Sequence, residues 1–241
     1  MRPHLLVAQL SLALAACGAR SGLDDPPDAA APADLAPPPD DLPPLALSAA
    51  FNVGRAADGS TYASGVFWAG DRRPMPGGTG GRSHRLAAGE SVSVNGVALQ
   101  GGWADWGYTY QSGAVQARAD GRWEFRFVIA GRTVTRTLTL RPVRWVDFPT
   151  APVSIAAGVT LRWEPALPEA TTRRAYLTSC VFNEATEVGT ASASFRGRLS
   201  ATPCRAHAQL SAVLEEPVGA PFRGGALSAS VALDRELDVV P

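Results

Sequence analysis

An aromatic segment in the middle of the chain, with the sequence GGWADWGYTYQSG, contains the residues best suited to ligand binding. The candidate binding residues are four aromatic side chains and one carboxylate, Trp103, Asp105, Trp106, Tyr108 and Tyr110. Aromatic ring faces stack on the apolar C–H patches of sugars, and a few polar neighbours fix the orientation of such a ligand. The alternative is that one or both tryptophans fill a protein core, where a ring buries about 150–250 Å².

Arginines close to this segment favour a basic rim for an anionic partner. They are Arg72, Arg73, Arg82 and Arg85, around the glycine-rich sequence PGGTGGR. Positive side chains gathered at one rim attract anionic ligands. The glycine-rich sequence lacks the Lys-Ser/Thr ending of a phosphate-binding P-loop, so we interpret it as a flexible connection.

The sequence shows no catalytic or metal-binding constellation. There is no G-x-S-x-G nucleophile motif, and His84 and His207 have no other ligands at the spacing of a zinc site. A glycosidase needs two carboxyl groups that face each other across a cleft. Glu215 and Glu216 are consecutive, so they point to opposite faces of a strand. We therefore predict a protein that is not an enzyme and that uses no metal or cofactor.

A lone cysteine, Cys17, ends an apolar run close to the start of the chain. Residues 5–16, LLVAQLSLALAA, would form a helix of about 18 Å. That length is too short for a bilayer core of about 30 Å but is typical of an export signal. The sequence LAAC at residues 14–17 resembles the bacterial lipobox, in which small residues precede a cysteine that is lipidated and becomes the mature N-terminus. The resemblance implies a signal peptide over residues 1–16 and a lipid anchor on Cys17. An ordinary secretory signal with an unrelated cysteine is the alternative.

The sequence CGARSGLDD, which begins at Cys17, is similar to the mature start of lipoproteins from myxobacteria and their relatives. This resemblance implies a location in the cell envelope. Gly18, rather than aspartate, follows the cysteine, which favours the outer membrane over the inner one. The formal net charge is zero, so nothing favours nucleic acid as a partner. The predicted partners are the membrane, through acyl chains, and an envelope glycan or protein.

A change of composition near residue 46 predicts the domain organisation. Residues 17–45 are rich in proline, aspartate and alanine, and such a segment buries too little apolar surface to fold, so we predict an extended tether. Beyond it the apolar residues alternate with period two between glycine and proline signals. This pattern predicts an all-β, antiparallel β-sandwich fold with tandem units over residues 46–148 and 149–241. One large sandwich remains the alternative.

Turn chemistry predicts two hairpins in the first unit. In SVSVNGVALQ, alternating arms flank Asn95-Gly96, a pair typical of a type I′ turn. The segment 114–132 predicts a second hairpin that turns at Asp120-Gly121.

The sequence TLRWEPA, residues 160–166, resembles the tryptophan-bearing strand of a fibronectin-type sandwich. More broadly, residues 46–241 resemble the immunoglobulin-like or fibronectin-III-like modules of bacterial surface lipoproteins. The resemblance implies that Trp163 belongs to a core. True immunoglobulin domains have one cysteine before and one after the core tryptophan, whereas Cys180 and Cys204 both follow Trp163.

These two late cysteines predict a disulfide bond, because exported proteins fold in an oxidising compartment. A bond between Cys180 and Cys204 would close a loop of about 25 residues and stabilise the fold by roughly 3.5 kcal/mol in the chain-entropy model. A metal or redox pair would need closer spacing or neighbouring ligands.

The sequence therefore favours a lipid-anchored envelope protein with a binding or structural role, in glycan or protein recognition. Two alternatives stay open. One is an envelope-polymer hydrolase whose site combines distant residues such as His84 or His207. The other is an assembly subunit that pairs with a partner through a sheet edge.

Overall fold

The computed structural model describes residues 45–70, 73, 82–105, 107–179, 183–197 and 204–240, without the side chains of residues 179, 183 and 184. Several predicted features lie outside these residues, namely the signal peptide, Cys17, the tether up to residue 44, Arg72, Trp106 and Cys180. Leu45, assigned to the end of the tether, is buried in the core, and its N–H donates to the carbonyl of Pro221 at 2.7 Å.

The described residues form strands and no helix, and they therefore contain no helix that could cross a membrane. The strands in chain order are β1 (Leu47–Arg55), β2 (Thr61–Ala69), β3 (Ser83–His84), β4 (Ser91–Val94), β5 (Val97–Ala98), β6 (Gln100–Ala104), β7 (Gly107–Ser112), β8 (Arg122–Ile129), β9 (Arg132–Thr139), β10 (Arg144–Val146), β11 (Val153–Ser154), β12 (Val159–Glu164), β13 (Thr172–Ser179), β14 (Asn183–Glu184), β15 (Glu187–Val188), β16 (Ser192–Phe195), β17 (Cys204–Pro217) and β18 (Gly225–Val240). The predicted all-β class is confirmed.

One large sheet and two small sheets make up the fold. The large sheet has ten strands in the order β14-β13-β17-β18-β1-β2-β7-β6, with β11 beside β18 and β3 beside β2. The small sheets have the orders β5-β4-β8-β9 and β10-β12-β16-β15. Strand β18 pairs in parallel with β1 and with β11, and the other pairs are antiparallel. The parallel pairs depart from the predicted antiparallel pattern, and they are possible because long stretches of chain separate these strands.

Strand β18 is shared by both halves of the chain. Its first part, Gly225–Val231, pairs with β1, and its end, Val239 and Val240, pairs with β11. Its 16 residues span about 53 Å at 3.3 Å per residue. The large sheet therefore takes strands from both sides of the boundary predicted at residues 148 and 149. Asp40–Pro241 form one compact unit.

A single main hydrophobic core joins the three sheets. In β8, Trp123, Phe125 and Phe127 alternate with polar residues and are buried, as the period-two pattern predicts. The ring of Phe127 lies 5.5 Å from that of Phe51 and 6.0 Å from that of Phe67, so the first small sheet packs on β1 and β2. Trp163 in β12 is also buried in this core, as the resemblance implied.

The structure confirms one predicted hairpin and replaces the other. Strands β4 and β5 flank Asn95 and Gly96, whose φ angles of 49° and 82° suit a type I′ turn. Residues 114–121 precede β8 without forming a strand, so the predicted hairpin at Asp120-Gly121 is wrong. Strand β8 pairs instead with β9 across Ala130-Gly131, where both residues have positive φ angles.

Candidate functional site

The β6–β7 hairpin carries the predicted aromatic residues at one margin of the large sheet. Among the described strands, β6 pairs only with β7 and ends the sheet. Trp103 and Tyr108 are directly paired across the hairpin, so their side chains lie on the same face. The side chain of Trp103 is 78% exposed, which makes it the most exposed large apolar side chain of the described residues. Trp103 therefore lies at the surface and not in the core.

A chain of ring contacts connects Trp103 to the core. The ring centroids of Trp103 and Tyr108 are 5.4 Å apart in an edge-to-face arrangement, and those of Tyr108 and Tyr110 are also 5.4 Å apart. Tyr110 is buried and lies 5.5 Å from Phe67. Edge-to-face pairs of this kind add about 0.5–1.5 kcal/mol each beyond area burial. These contacts fix the Tyr108 ring on which the exposed Trp103 rests.

Gly101 allows Tyr108 to take this position. A Cβ at Gly101 would lie 2.3 Å from the Tyr108 hydroxyl oxygen and 2.6 Å from a ring carbon. The tyrosine ring therefore lies over the glycine of the neighbouring strand, as in other pairs of aromatic residues with edge-strand glycines. This glycine is not among the site residues predicted from the sequence. The sequence feature that could have identified it is the Gly-Gly pair directly before Trp103, because two glycines leave the strand without side chains at these positions.

Strand β3 and the residues after it bring a cation and further hydrogen bonds to this face. The guanidinium carbon of Arg85 lies 5.4 Å from the centroid of the Tyr108 ring, within cation–π range. The Tyr108 N–H donates to Ser83 Oγ at 2.7 Å, and the Leu86 N–H donates to the Tyr110 hydroxyl oxygen at 2.6 Å. Burial raises the pKa of the Tyr110 hydroxyl, so this group stays neutral at physiological pH. We call Trp103, Tyr108 and Arg85 the aromatic surface.

The other predicted site residues occupy different environments. Asp105 is exposed at the turn between β6 and β7, next to the aromatic surface, and Tyr110 belongs to the core. Trp106 lies outside the described residues. The predicted basic rim is not assembled on one face, because Arg73 lines a groove on the opposite face of the large sheet while Arg85 faces Tyr108.

The two histidines are held apart by the large sheet. His84 lies in β3, beside β2, whereas His207 lies in β17 on the far side of β18 and β1. His207 Nδ1 is 2.9 Å from Asp234 Oδ1 on an open face of the sheet. Within the described ranges, no three His, Cys, Asp or Glu side chains gather where a metal ion could bind.

Cys204 is the first residue of β17 and is half-buried. Because Cys180 lies outside the described residues, the pairing of Cys180 with Cys204 stays a prediction.

The carboxylate of Glu90 fastens the segment that carries Arg85 to the β8–β9 turn. Its two oxygens accept hydrogen bonds from the N–H groups of Ala130 and Ala87, each at 2.8 Å. These hydrogen bonds hold the pKa of Glu90 below the ordinary glutamate value of 4.5. The bond from Ala130 has the largest effect, and the bond from Ala87 has the next largest. A carboxylate with a lowered folded-state pKa stabilises the fold above its unfolded pKa and loses that contribution as the pH falls.

We expect the Glu90→Gln variant to melt at a lower temperature than the parent at about pH 7, and the difference to shrink as the pH falls below the ordinary glutamate value of 4.5. The reason is that protonated Glu90, like glutamine, has lost the charge that strengthens these bonds. Thermal unfolding followed by circular dichroism at several pH values measures both quantities. Glu187→Gln, at an exposed position in β15, is the matched control. A difference that does not change with pH would contradict the assignment.

Comparisons with known proteins show no established family. No family model matches the chain, and no curated protein matches it. Similar solved structures include a chimeric titin Z1Z2 functionalized with a KLER exogenous peptide from decorin, and the titin domains Z1Z2 in complex with telethonin. Each is 11% identical with a TM-score of 0.22, over 83% of this chain and 100% and 98% of those chains, respectively. At this TM-score the similarity carries no argument about function, which has to rest on the geometry of the described residues.

Proposed function

We propose that this protein is a non-catalytic, lipid-anchored binding protein of the cell envelope that recognises a glycan through the aromatic surface. The observation that carries the proposal is the exposure of Trp103. Burial of an apolar side chain is favourable in proportion to the apolar area removed from water. A large side chain that stays exposed does not gain this free energy. Tryptophan is enriched at binding interfaces, and the ring contacts with Tyr108 hold this one in an ordered position in water.

The chemistry of the aromatic surface favours a glycan over a charged small molecule. The ring of Trp103 offers a flat apolar area that suits the C–H face of a sugar ring. Asp105 accepts hydrogen bonds from hydroxyl groups, and Arg85 donates them or pairs with an acidic group. The side chain of Trp103 is open to solvent over most of its area. An open platform of this kind suits part of a long polymer rather than an enclosed metabolite.

Co-sedimentation of the full chain with purified cell-wall polymers and envelope glycans tests this function. We expect the protein to pellet with at least one polymer and to be released by soluble fragments of the same polymer. Failure to pellet with any of them would contradict glycan recognition. Turnover of the polymer that disappears in a His84→Ala or His207→Ala variant would instead support a hydrolase.

The anchoring part of the proposal rests on the lipobox-like sequence that ends at Cys17. Several acyl chains hold a protein in a membrane much more firmly than one chain, since each buried methylene contributes about 0.8 kcal/mol. We expect the parent to fractionate with envelope membranes after high-salt washing, in the outer rather than the inner membrane. The Cys17→Ser variant should lack acyl groups by mass spectrometry. A parent protein that is soluble and free of acyl groups would contradict the anchor.

Protein recognition is the second candidate function, because the large sheet ends at an uncovered strand. Among the described residues β6 has a neighbour on one side only, and it contains Gly101 and Gly102. Such an edge accepts an added strand through main-chain hydrogen bonds. Co-purification of a stoichiometric protein partner that survives the Trp103→Ala substitution would favour this function over glycan binding.

A further inference from the structure

A row of polar side chains crosses the large sheet on the face opposite to Trp103. Its members are directly paired residues of six neighbouring strands, from β17 to β6, namely Glu215, Ser228, Asn52, Ser64, Gln111 and Gln100. Neighbouring strands lie about 4.8 Å apart, so the row extends over roughly 24 Å. We call these six residues the polar row. They are spread over most of the chain, and only the strand register brings them together.

The polar row forms part of a groove of about 470 Å³. Five of its six residues line the groove, together with a parallel row of small apolar side chains, Ala226, Ala50 and Val66. The small side chains of the central strands leave a trough, which has the carboxylate of Glu215 on one side. The groove therefore combines a line of hydrogen-bonding groups with a line of apolar groups.

The groove offers side chains rather than backbone groups to a ligand. Its strands β18, β1 and β2 have neighbours on both sides, so their N–H and C=O groups are used in the ladders of the sheet. An extended peptide, which binds through main-chain hydrogen bonds at a sheet edge, has little to pair with here. Hydroxyl and amide side chains both donate and accept hydrogen bonds, which matches the hydroxyl groups of a sugar.

We propose that the polar row binds an extended, polyhydroxylated chain, an oligosaccharide that lies across the strands. Its hydroxyl groups pair with Asn52, Ser64 and Gln111, and its C–H groups lie on Ala50 and Val66. Glu215 accepts hydrogen bonds at one end. This site goes beyond the proposed function, because it lies on the other face of the sheet and shares no residue with the aromatic surface.

A buried donor, the indole of Trp68, lies close to the groove without lining it. Trp68 packs against Ala50 and Val66, two of the residues that line the groove. The Trp68 side chain is 6% exposed, and its Nε1–H has no acceptor among the described residues. Because this donor does not face the groove, the assignment of a ligand rests on the polar row and its apolar neighbours alone.

Side-chain amide signals in nuclear magnetic resonance provide a direct test, because the chain has only 3 asparagines and 5 glutamines. The full chain in lauryldimethylamine oxide, a detergent without a sugar head group, is titrated with the β-1,4-linked hexamer of N-acetylglucosamine. We expect saturable shifts of the signals of Asn52, Gln100 and Gln111. The signals of Asn95, Gln116 and Gln209, which lie away from the polar row, serve as internal controls and should not move.

Two variants and a matched control locate the binding. The double substitution Ser64→Ala and Ser228→Ala should lower the affinity of the protein for the hexamer at least tenfold. Ser211→Ala, on the same face, should change this affinity less than twofold. The Trp103→Ala variant should show the same shifts as the parent. Binding at the polar row is therefore tested separately from binding at the aromatic surface. Three results would overturn the proposal: no shift of the three signals, equal affinity in the double variant, or stronger shifts with a Gly-Ser peptide than with the hexamer.

Discussion

Replacing Gly225 with alanine is expected to lower the free energy of unfolding by about 3–5 kcal/mol, the sum of backbone strain and overpacking. Gly225 begins β18 and pairs with Ala49 at the start of the parallel β1–β18 ladder. Its φ angle is +111°, and a Cβ there would lie 1.8 Å from the carbonyl oxygen of Ala49. Because the obstructing atom belongs to the backbone of β1, relief requires that the two strands move apart.

Gly89→Ala separates the two causes of this loss. Gly89 has a φ angle of +86°, but nothing lies within 4 Å of an added Cβ, so its replacement carries only the backbone strain. We expect that variant to lose about 1–2 kcal/mol. Urea unfolding of both variants and the parent gives the two free energies. Equal losses in the two variants would mean that the β1–β18 contact does not restrict position 225.

Replacing Trp103 with alanine is expected to weaken glycan binding by about 2 kcal/mol, close to thirtyfold, as for a tryptophan at the centre of a binding surface. The melting temperature should stay close to that of the parent, because the side chain is mostly in water. Titration calorimetry with soluble fragments of the polymer that pellets the parent measures the change.

The matched control for this variant is Tyr62→Ala. Tyr62 is the other exposed large aromatic residue among those described, at 38%, and its hydroxyl lies 2.9 Å from Ser230 Oγ on the face away from Trp103. Its loss should leave the affinity for the fragments unchanged. If the two variants weaken binding equally, the aromatic surface is not the site.

Local chemistry made part of the fold predictable from the sequence. Asn95 and Gly96 tolerate the positive φ angles of their turn, and that preference depends on no distant residue. The alternation in β8 likewise reports burial of one face against a partner sheet. The same rules misplaced the second hairpin, since Asp120-Gly121 has strong turn chemistry while Ala130-Gly131 does not. There the pairing of β8 with β9 places a residue with a side chain, Ala130, at a positive φ angle.

Long-range pairing produced the features that the sequence could not give. The polar row depends on the register of five strand pairs, which unite residues as distant as Asn52 and Ser228. The shared strand β18 continues the large sheet past the predicted boundary, and nothing in its alternation indicates which strands will pair with it. The exposure of Trp103 follows from the position of β6 at the end of the sheet. An identical hairpin in the middle of the sheet would have buried the same side chain.

Quenching of tryptophan fluorescence by iodide tests the central claim most directly. Trp68, Trp123 and Trp163 are buried, whereas Trp103 is open to the quencher. The Trp103→Phe variant shows which part of the quenching belongs to this residue. We expect saturating glycan fragments to remove that part in the parent and to leave the remaining quenching unchanged. Bound fragments that leave the quenching of Trp103 as it was would contradict recognition through the aromatic surface.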